Sequence, residues 1–444
     1  MAQERNPSDI ADFGGMEMDA ASSAENFSLQ HFVQSTGSTL LERVKPFSDY
    51  LGETTGRGYA LYAREIIGAT GPSVQVKDSI TGLCRKMVMM GSNNYLGLAN
   101  HPRVKKAVQD AVEQYGVGMG GPPLLNGMSS LHRRLEVALA QLKGKEDALI
   151  YASGFQANLG WVTAVLRQGD VLIADEFHHA SLFDGLRLAR ATQRVQPRVF
   201  RHNDMDQLSK VLKYSKKKLA AGAHIFVAVE GVYSMDGDLA PLPDIVKLCR
   251  ECGATLAVDD AHGTGILGKQ GGGTAEHFGV SDDVDLAMGT FSKTFGVTGG
   301  FIAGKREVID YLRYFSRSYM FSAHLPQTIA AAVLAGIELI RNDPSLRQAL
   351  QNNVQTMVQG MTALGYKVKS ESAIIPVLLP PDIDIRKIGR RFHEEGLFCN
   401  MIEPPAVAVR DQRVRLSIMA DHSAEDLAFA LDVLRKLGQE FGML

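Results

Sequence analysis

Gly289-Thr290-Phe291-Ser292-Lys293-Thr294-Phe295-Gly296 sets one lysine among small and hydroxylated residues, with a glycine-rich run from Gly296 to Gly304 behind it. We read Lys293 as the Schiff-base lysine of a pyridoxal-phosphate enzyme. Most lysines are solvated surface groups, so this reading requires company elsewhere in the chain. A carboxylate must hold the proton on the cofactor's ring nitrogen, a flat side chain must stack on the ring, and a cradle must take the phosphate.

Four stretches beyond expected strands meet these needs. Val258-Asp259-Asp260-Ala261-His262-Gly263 offers the carboxylate. A carboxylate beside the pyridine nitrogen raises its pKa and keeps it protonated. Asp259 follows the apolar strand directly, and alternation turns Asp260 to the other side. His262 can bond the cofactor's phenolic oxygen or the substrate carboxylate. Asp175-Glu176-Phe177-His178-His179-Ala180-Ser181 offers an imidazole for stacking, from one of its two adjacent histidines. A metal site is the weaker reading there, because no i,i+4 partner or cysteine supports it. Ser153-Gly154-Phe155-Gln156 turns from strand into helix. Backbone N–H groups at a helix N-terminus, with glycine allowing close approach, bind phosphate. Thr290 and Ser292 can add hydroxyl donors. In Glu230-Gly231-Val232-Tyr233-Ser234-Met235-Asp236-Gly237, Ser234 can bond the cofactor oxygen.

From about Tyr95 onward, short apolar strands (147–151, 171–174, 224–229, 255–258 and 286–288) alternate with helices. This pattern predicts a mostly parallel sheet covered on both faces, with ligands beyond the strand C-terminal ends. A long helix over 327–340 and a break at Asn342-Asp343-Pro344-Ser345 lead into a smaller α/β domain over 341–444. Before Tyr95, residues 57–90 read as a β-rich lead-in, with strands at 73–76 and 86–90 joined by a turn at 78–82. Leu29, Phe32, Val33, Leu40, Leu41, Val44 and Phe47 predict a helix within 27–94, weakened by Gly37 and Pro46. It is expected to pack on the body or on a second subunit, with a membrane-surface or acyl-channel role as the other reading. Residues 1–26 are polar, acidic and expected to be a mobile tail.

The 444 residues carry a formal net charge of −2, which makes no electrostatic case for nucleic acid. Lys216-Lys217-Lys218 reads as a solvated helix face. The cysteines are Cys84, Cys249, Cys252 and Cys399, too few for a disulfide scaffold. Cys249 and Cys252 have no second pair to complete a zinc site, so no metal is expected. No signal peptide is expected, and no run of 18 apolar residues suggests a spanning helix. A cytoplasmic protein, with at most peripheral membrane contact, is the expectation.

The order of phosphate turn, histidine, serine, aspartate and lysine, with Asp-Asp-Ala-His-Gly-Thr-Gly and Gly-Thr-Phe-Ser-Lys, resembles the α-oxoamine synthases. These are a branch of the fold-type-I pyridoxal-phosphate transferases, and the likeness spans about residues 58–440. The resemblance implies a mostly parallel seven-stranded sheet flanked by helices, plus a smaller C-terminal α/β domain. It implies that His179, rather than His178, stacks on the ring. It matches Arg415 to the family's arginine for the amino-acid carboxylate, a task that suits a guanidinium fork. It matches Asn93 to an asparagine near the substrate. It matches Ser322 to a residue that reaches the neighbouring subunit's phosphate, which implies an obligate homodimer with shared active sites. It also implies a decarboxylative condensation of a small amino acid with an acyl thioester, carried on CoA or a carrier protein. Lys293 then serves as the base at the α-carbon.

Leu125-Asn126-Gly127 and Leu416-Ser417-Ile418-Met419-Ala420 look more like serine palmitoyltransferase than the alanine-using enzyme of the biotin pathway. Pro122-Pro123, Glu403 and Ala323-His324 depart from the family pattern. The missing basic groups favour a long apolar acyl chain over a carboxylated one, whose unpaired charge would be costly to desolvate. An aminotransferase would share the lysine and aspartate, but the Asp-Asp-Ala-His context argues against it. A non-catalytic partner subunit is expected to lack Lys293.

Overall fold

The computed structural model describes residues 32, 35–59, 62–380, 383–404 and 406–444. The expected tail at 1–26, and Leu29 and Val33 of the expected helix, lie outside the described residues. The chain forms two compact units, one of residues 93–351 and one of residues 1–92 with 352–444.

The unit 93–351 is built on a seven-stranded sheet. We label its strands β1 (Asp147–Tyr151), β2 (Val171–Asp175), β3 (Gln196–Phe200), β4 (Ile225–Glu230), β5 (Thr255–Asp259), β6 (Leu286–Thr290) and β7 (Gly300–Gly304). Their order is β1-β7-β6-β5-β4-β2-β3. Only β7 runs against its neighbours, pairing antiparallel with both β1 and β6. All residues of β1, β2, β4, β6 and β7 are buried, as a sheet covered on both faces requires.

The period-2 alternation divides the core into two faces. Leu172, Ala174, Phe226, Ala228, Ala257 and Met288 pack on one side with Trp161 and Leu182. Ile173, Val227, Val229, Leu256 and Val258 pack on the other with Leu208 and Ile245. Extending this alternation places Glu230 and Asp259 on the first face, and Asp175 and Asp260 on the second. Asp260 there receives the Lys143 ammonium at 2.7 Å and the Thr274 hydroxyl at 2.6 Å.

The connections position the strand ends. β2 leads through the helix Ala180–Gln193 to β3, and the chain returns through Met205–Lys218 to β4, beside β2. It then continues away from β3 through Leu242–Cys252 to β5 and on to β6, opposite to the step from β2 to β3. The direction therefore reverses between β2 and β4, and a crevice at the carboxyl ends of such a switch point is where open α/β sheets take ligands.

The other unit joins the N-terminal lead-in to the C-terminal segment. Ser73–Lys77 and Cys84–Met89 pair antiparallel, and Leu397–Phe398 adds in parallel beside Cys84–Met89. Ile374–Leu378, Arg413–Ser417 and Asn400–Ile402 form a separate three-stranded sheet. The lead-in strands thus group with the C-terminal segment in this unit. The first described α-helix runs Leu40–Gly56. Residues 35–39 are not helical, because Thr39 and Glu42 form a capping box that fixes the start after Gly37.

Candidate active site

Five strand ends of the seven-stranded sheet supply the candidate residues. Beyond β1, Ser153 caps the helix Gly154–Val165, its hydroxyl accepting from Gln156 N at 3.1 Å. The first N–H groups of a helix have no intrahelical acceptor, so those of Gly154 and Phe155 are available to an anion. The backbones crowd closely here. A Cβ on Gly154 would lie 3.0 Å from Met288 Cε and 3.1 Å from Thr290 Oγ1, and one on Gly300 would lie 2.6 Å from Gly154 Cα. Thr290 thus stands against this turn. Its hydroxyl bonds Gly299 O and Ser292 Oγ, each at 2.9 Å. Ser292 is exposed and Lys293 half-buried, so the lysine loop opens outward. Gly296 closes that loop at φ 66°, with Ala99 Cβ only 2.4 Å from where a Cβ would sit.

Beyond β2, His179 is exposed at the N-cap of the helix Ala180–Gln193, and His178 is buried. Burial lowers the His178 imidazole to about 4, which leaves it neutral. A hydrogen-bonded chain links His179 to the end of β5. His179 Nδ1 lies 2.8 Å from Ser181 Oγ, Asn158 Nδ2 donates to Ser181 Oγ at 2.9 Å, and Asn158 Nδ2 also donates to Asp259 Oδ2 at 2.7 Å. Asp259 Oδ1 accepts from Ala261 N at 3.2 Å. Asn158 and Ser181 carry no assignment in the sequence reading. A lone asparagine in an apolar helix segment that also holds Trp161 is the signal that marks Asn158.

His262 is buried, its Nδ1 2.6 Å from the Tyr95 hydroxyl, which also donates to Asn93 Oδ1 at 3.2 Å. Asn93 and His262 are thereby tied through Tyr95, another residue the motifs did not single out. Beyond β4, Ser234 N donates to Glu230 Oε2 at 3.2 Å. Ser322 Oγ accepts from Gln156 Nε2 at 3.3 Å, which places it at the first turn of the helix Gly154–Val165 within one chain.

A second network braces the histidine turn. Asp175 accepts from Phe177 N and Asn203 N at 2.9 Å and meets His202 Nδ1 at 3.1 Å. His202 Nε2 lies 2.9 Å from Asp238 Oδ2. Burial pulls this imidazole down, but the hydrogen bonds and charges of Asp175 and Asp238 prevail and hold it at about 10. The Phe177 ring stacks on it at 4.5 Å between centroids.

Arg415 lies in the other unit, buried on the strand Arg413–Ser417, with Nη1 donating to Ser417 Oγ at 3.2 Å. In that same unit, Glu403 is buried and accepts from the Tyr62 hydroxyl at 2.7 Å, and burial raises its carboxyl. Among the described residues, no group of histidines, cysteines and acids is arranged to hold a metal ion.

These residues fit the cofactor the lysine implies. The cradle against Gly154 is too close for a side chain, hydroxyls flank it, and a carboxylate linked to an exposed imidazole stands on the same sheet edge. Residues 85–434 match the model of the aminotransferase class I and II family. The chain is 40% identical over 361 residues to an 8-amino-7-oxononanoate synthase of Thermoanaerobacter pseudethanolicus, covering 81% of this chain and 90% of that one. It is 40% identical over 365 residues to a serine palmitoyltransferase of Bacteriovorax stolpii, covering 82% and 85%. The chain is an α-oxoamine synthase. A solved serine palmitoyltransferase of Sphingomonas wittichii superposes with a TM-score of 0.84 at 33% identity, over 92% of this chain and 100% of that one. The synthase has the fold-type-I transferase architecture and is a pyridoxal-phosphate-dependent acyltransferase.

Proposed function

We propose that the synthase condenses serine with a long-chain acyl thioester, releasing CO₂ and free thiol and giving an α-aminoketone of the 3-ketosphinganine type. The observation that carries this reading is the likeness to serine palmitoyltransferase structure over 92% of the chain. Glu403 supports it. By the family likeness it stands where alanine-using relatives tend to carry a basic residue, so a donor's terminal carboxylate would lack that partner here. Arg64 and Arg386 line the same cavity; Arg64 donates to Cys399 O, and Arg386 donates to Asp384 and Tyr50. Condensation of alanine with a carboxylated donor, as in 8-amino-7-oxononanoate synthesis, is the second reading, favoured by the equal identity to that enzyme.

In this account Lys293 holds the cofactor. The N–H groups of Gly154 and Phe155, with Ser153, Thr290 and Ser292, take its phosphate, and Ser322 serves the phosphate of the partner in a homodimer. Asp259 would pair with the ring nitrogen, His179 would stack on the ring, and Ser234 and His262 would serve the phenolic oxygen. The bound cofactor supplies an electron sink for a carbanion at the amino acid's α-carbon. Lys293 Nζ would accept the α-proton and later return one. Arg415 fixes the substrate carboxylate through its guanidinium fork, and Asn93, steadied by Tyr95, borders the substrate. The homodimer is taken to act in the cytoplasm. Among the described residues no helix is long and apolar enough to cross a membrane.

Lys293→Ala tests the core of this assignment. The variant is expected to lose the visible absorbance of the bound cofactor and all turnover. Full turnover in that variant would refute the role of Lys293.

A further inference from the structure

Glu230 ends β4 and Asp259 ends β5, and the two are register partners in parallel strands. Side chains at paired positions of parallel strands point to the same face, so the two carboxyls stand side by side. Both are buried, at 3% and 6% exposure. Two adjacent buried carboxyls cannot both ionise without a large cost unless each is compensated.

Their partners differ. Asp259 receives N–H bonds from Asn158 Nδ2 and Ala261 N, one on each oxygen. Asp175, on the opposite face, has two backbone N–H donors and the His202 imidazolium. Among the described residues, Glu230 has one long bond from Ser234 N on Oε2, and its buried Oε1 meets no hydrogen-bond partner. A carboxylate bearing a bare buried oxygen is costly, whereas an acid with its proton on that oxygen is not.

We infer that Glu230 is a positioning residue held as a neutral carboxylic acid. Its carbonyl oxygen receives the Ser234 N–H, and its retained proton adds no second charge beside Asp259. The groups that act on it are Asp259 from β5, Lys293 from the loop after β6, Asp175 at the end of β2, and Ser234 from its own loop, where Tyr233 also lies close. Burial acts most strongly and raises the carboxyl. Asp259 and Asp175 act in the same direction, against the Ser234 N–H and Lys293. The arrangement separates the tasks of the two acids. Asp259 carries the charge for the ring nitrogen, and Glu230 fixes Ser234 without adding a second charge.

The test compares full-length holoenzyme with Glu230→Gln, a neutral isostere. The acid's folded-state value lies above its ordinary 4.5, so its contribution to stability is full below 4.5 and is lost as pH rises toward the folded value. The glutamine has no such loss. The melting temperature of E230Q relative to wild type is therefore expected to rise steadily as the pH goes from about 4.5 to about 8.5. Cofactor affinity should fall by less than about tenfold, since the isostere keeps an acceptor for the Ser234 N–H. A melting-temperature gap that does not change with pH overturns the inference. So does a glutamine variant that fails to fold or loses about tenfold in cofactor affinity, because a neutral acid must tolerate a neutral isostere.

Discussion

Asn158 Nδ2 donates to Asp259 Oδ2 at 2.7 Å and to Ser181 Oγ at 2.9 Å, so one amide links the strand-end carboxylate to the turn bearing His179. Asn158, Ser181 and Asp259 are all buried, and a hydrogen bond to a charged group in such a place contributes about 1.5–3 kcal/mol. Asn158→Ala should therefore weaken cofactor binding by about 10- to 100-fold, read by absorbance titration of the apoprotein. A change below about threefold would show that the link does not hold Asp259 for its task.

Gly300→Ala tests the crowded turn. The new Cβ would meet Gly154 Cα and N at 2.6 Å, and both are backbone atoms that cannot swing aside. Forced overpacking of this kind costs about 1–3 kcal/mol. Denaturant unfolding should report that loss, and the preference for pyridoxal phosphate over pyridoxal should shrink as the cradle is displaced. An unchanged unfolding free energy would contradict the tightness of the approach.

His202 gives stability a pH dependence. Its folded-state value of about 10 lies above the ordinary 6.5, so its contribution is fully present below 6.5 and fades as pH rises toward 10. The melting temperature should fall across that window, and His202→Gln should flatten the fall while lowering stability near neutrality. The same slope in the variant would remove His202 as its source.

Tyr95→Phe removes the hydroxyl that lies 2.6 Å from His262 and donates to Asn93. Both residues should then lose their fixed orientation. Turnover should fall by about 3- to 30-fold at nearly constant cofactor affinity, since a neutral hydrogen bond contributes about 1 kcal/mol and two are lost. Steady-state kinetics beside a cofactor titration separates the two effects. Loss of cofactor with unchanged turnover per bound site would contradict this role.

Much of the sheet edge is legible in the sequence because strand ends carry the chemistry. Asp259, His179 and Thr290 each follow or end a short apolar run that periodicity identifies. What escapes is structure that lacks such a run. β7 lies in Gly300-Phe301-Ile302-Ala303-Gly304, where glycines at both ends disguise a central strand buried between β1 and β6. β3 is an edge strand containing Pro197, and its polar, partly exposed face reads as loop. The start of the first described helix is written in Thr39 and Glu42, but the apolar pattern drew attention upstream. Tyr95 and Asn158 act through partners distant in sequence, His262 and Asp259, and no local spacing encodes such pairs. Glu230 sits inside a recognised motif, yet its environment comes from the neighbouring strand.

The choice of substrates is the central claim. Its most direct measurement supplies the purified holoenzyme with serine, alanine or glycine against palmitoyl, short-chain and pimeloyl thioesters, reading CO₂ and free thiol. Serine with the palmitoyl donor is expected to exceed every other pair by at least about tenfold in kcat/KM. Equal or greater turnover of alanine with the pimeloyl donor would contradict the account.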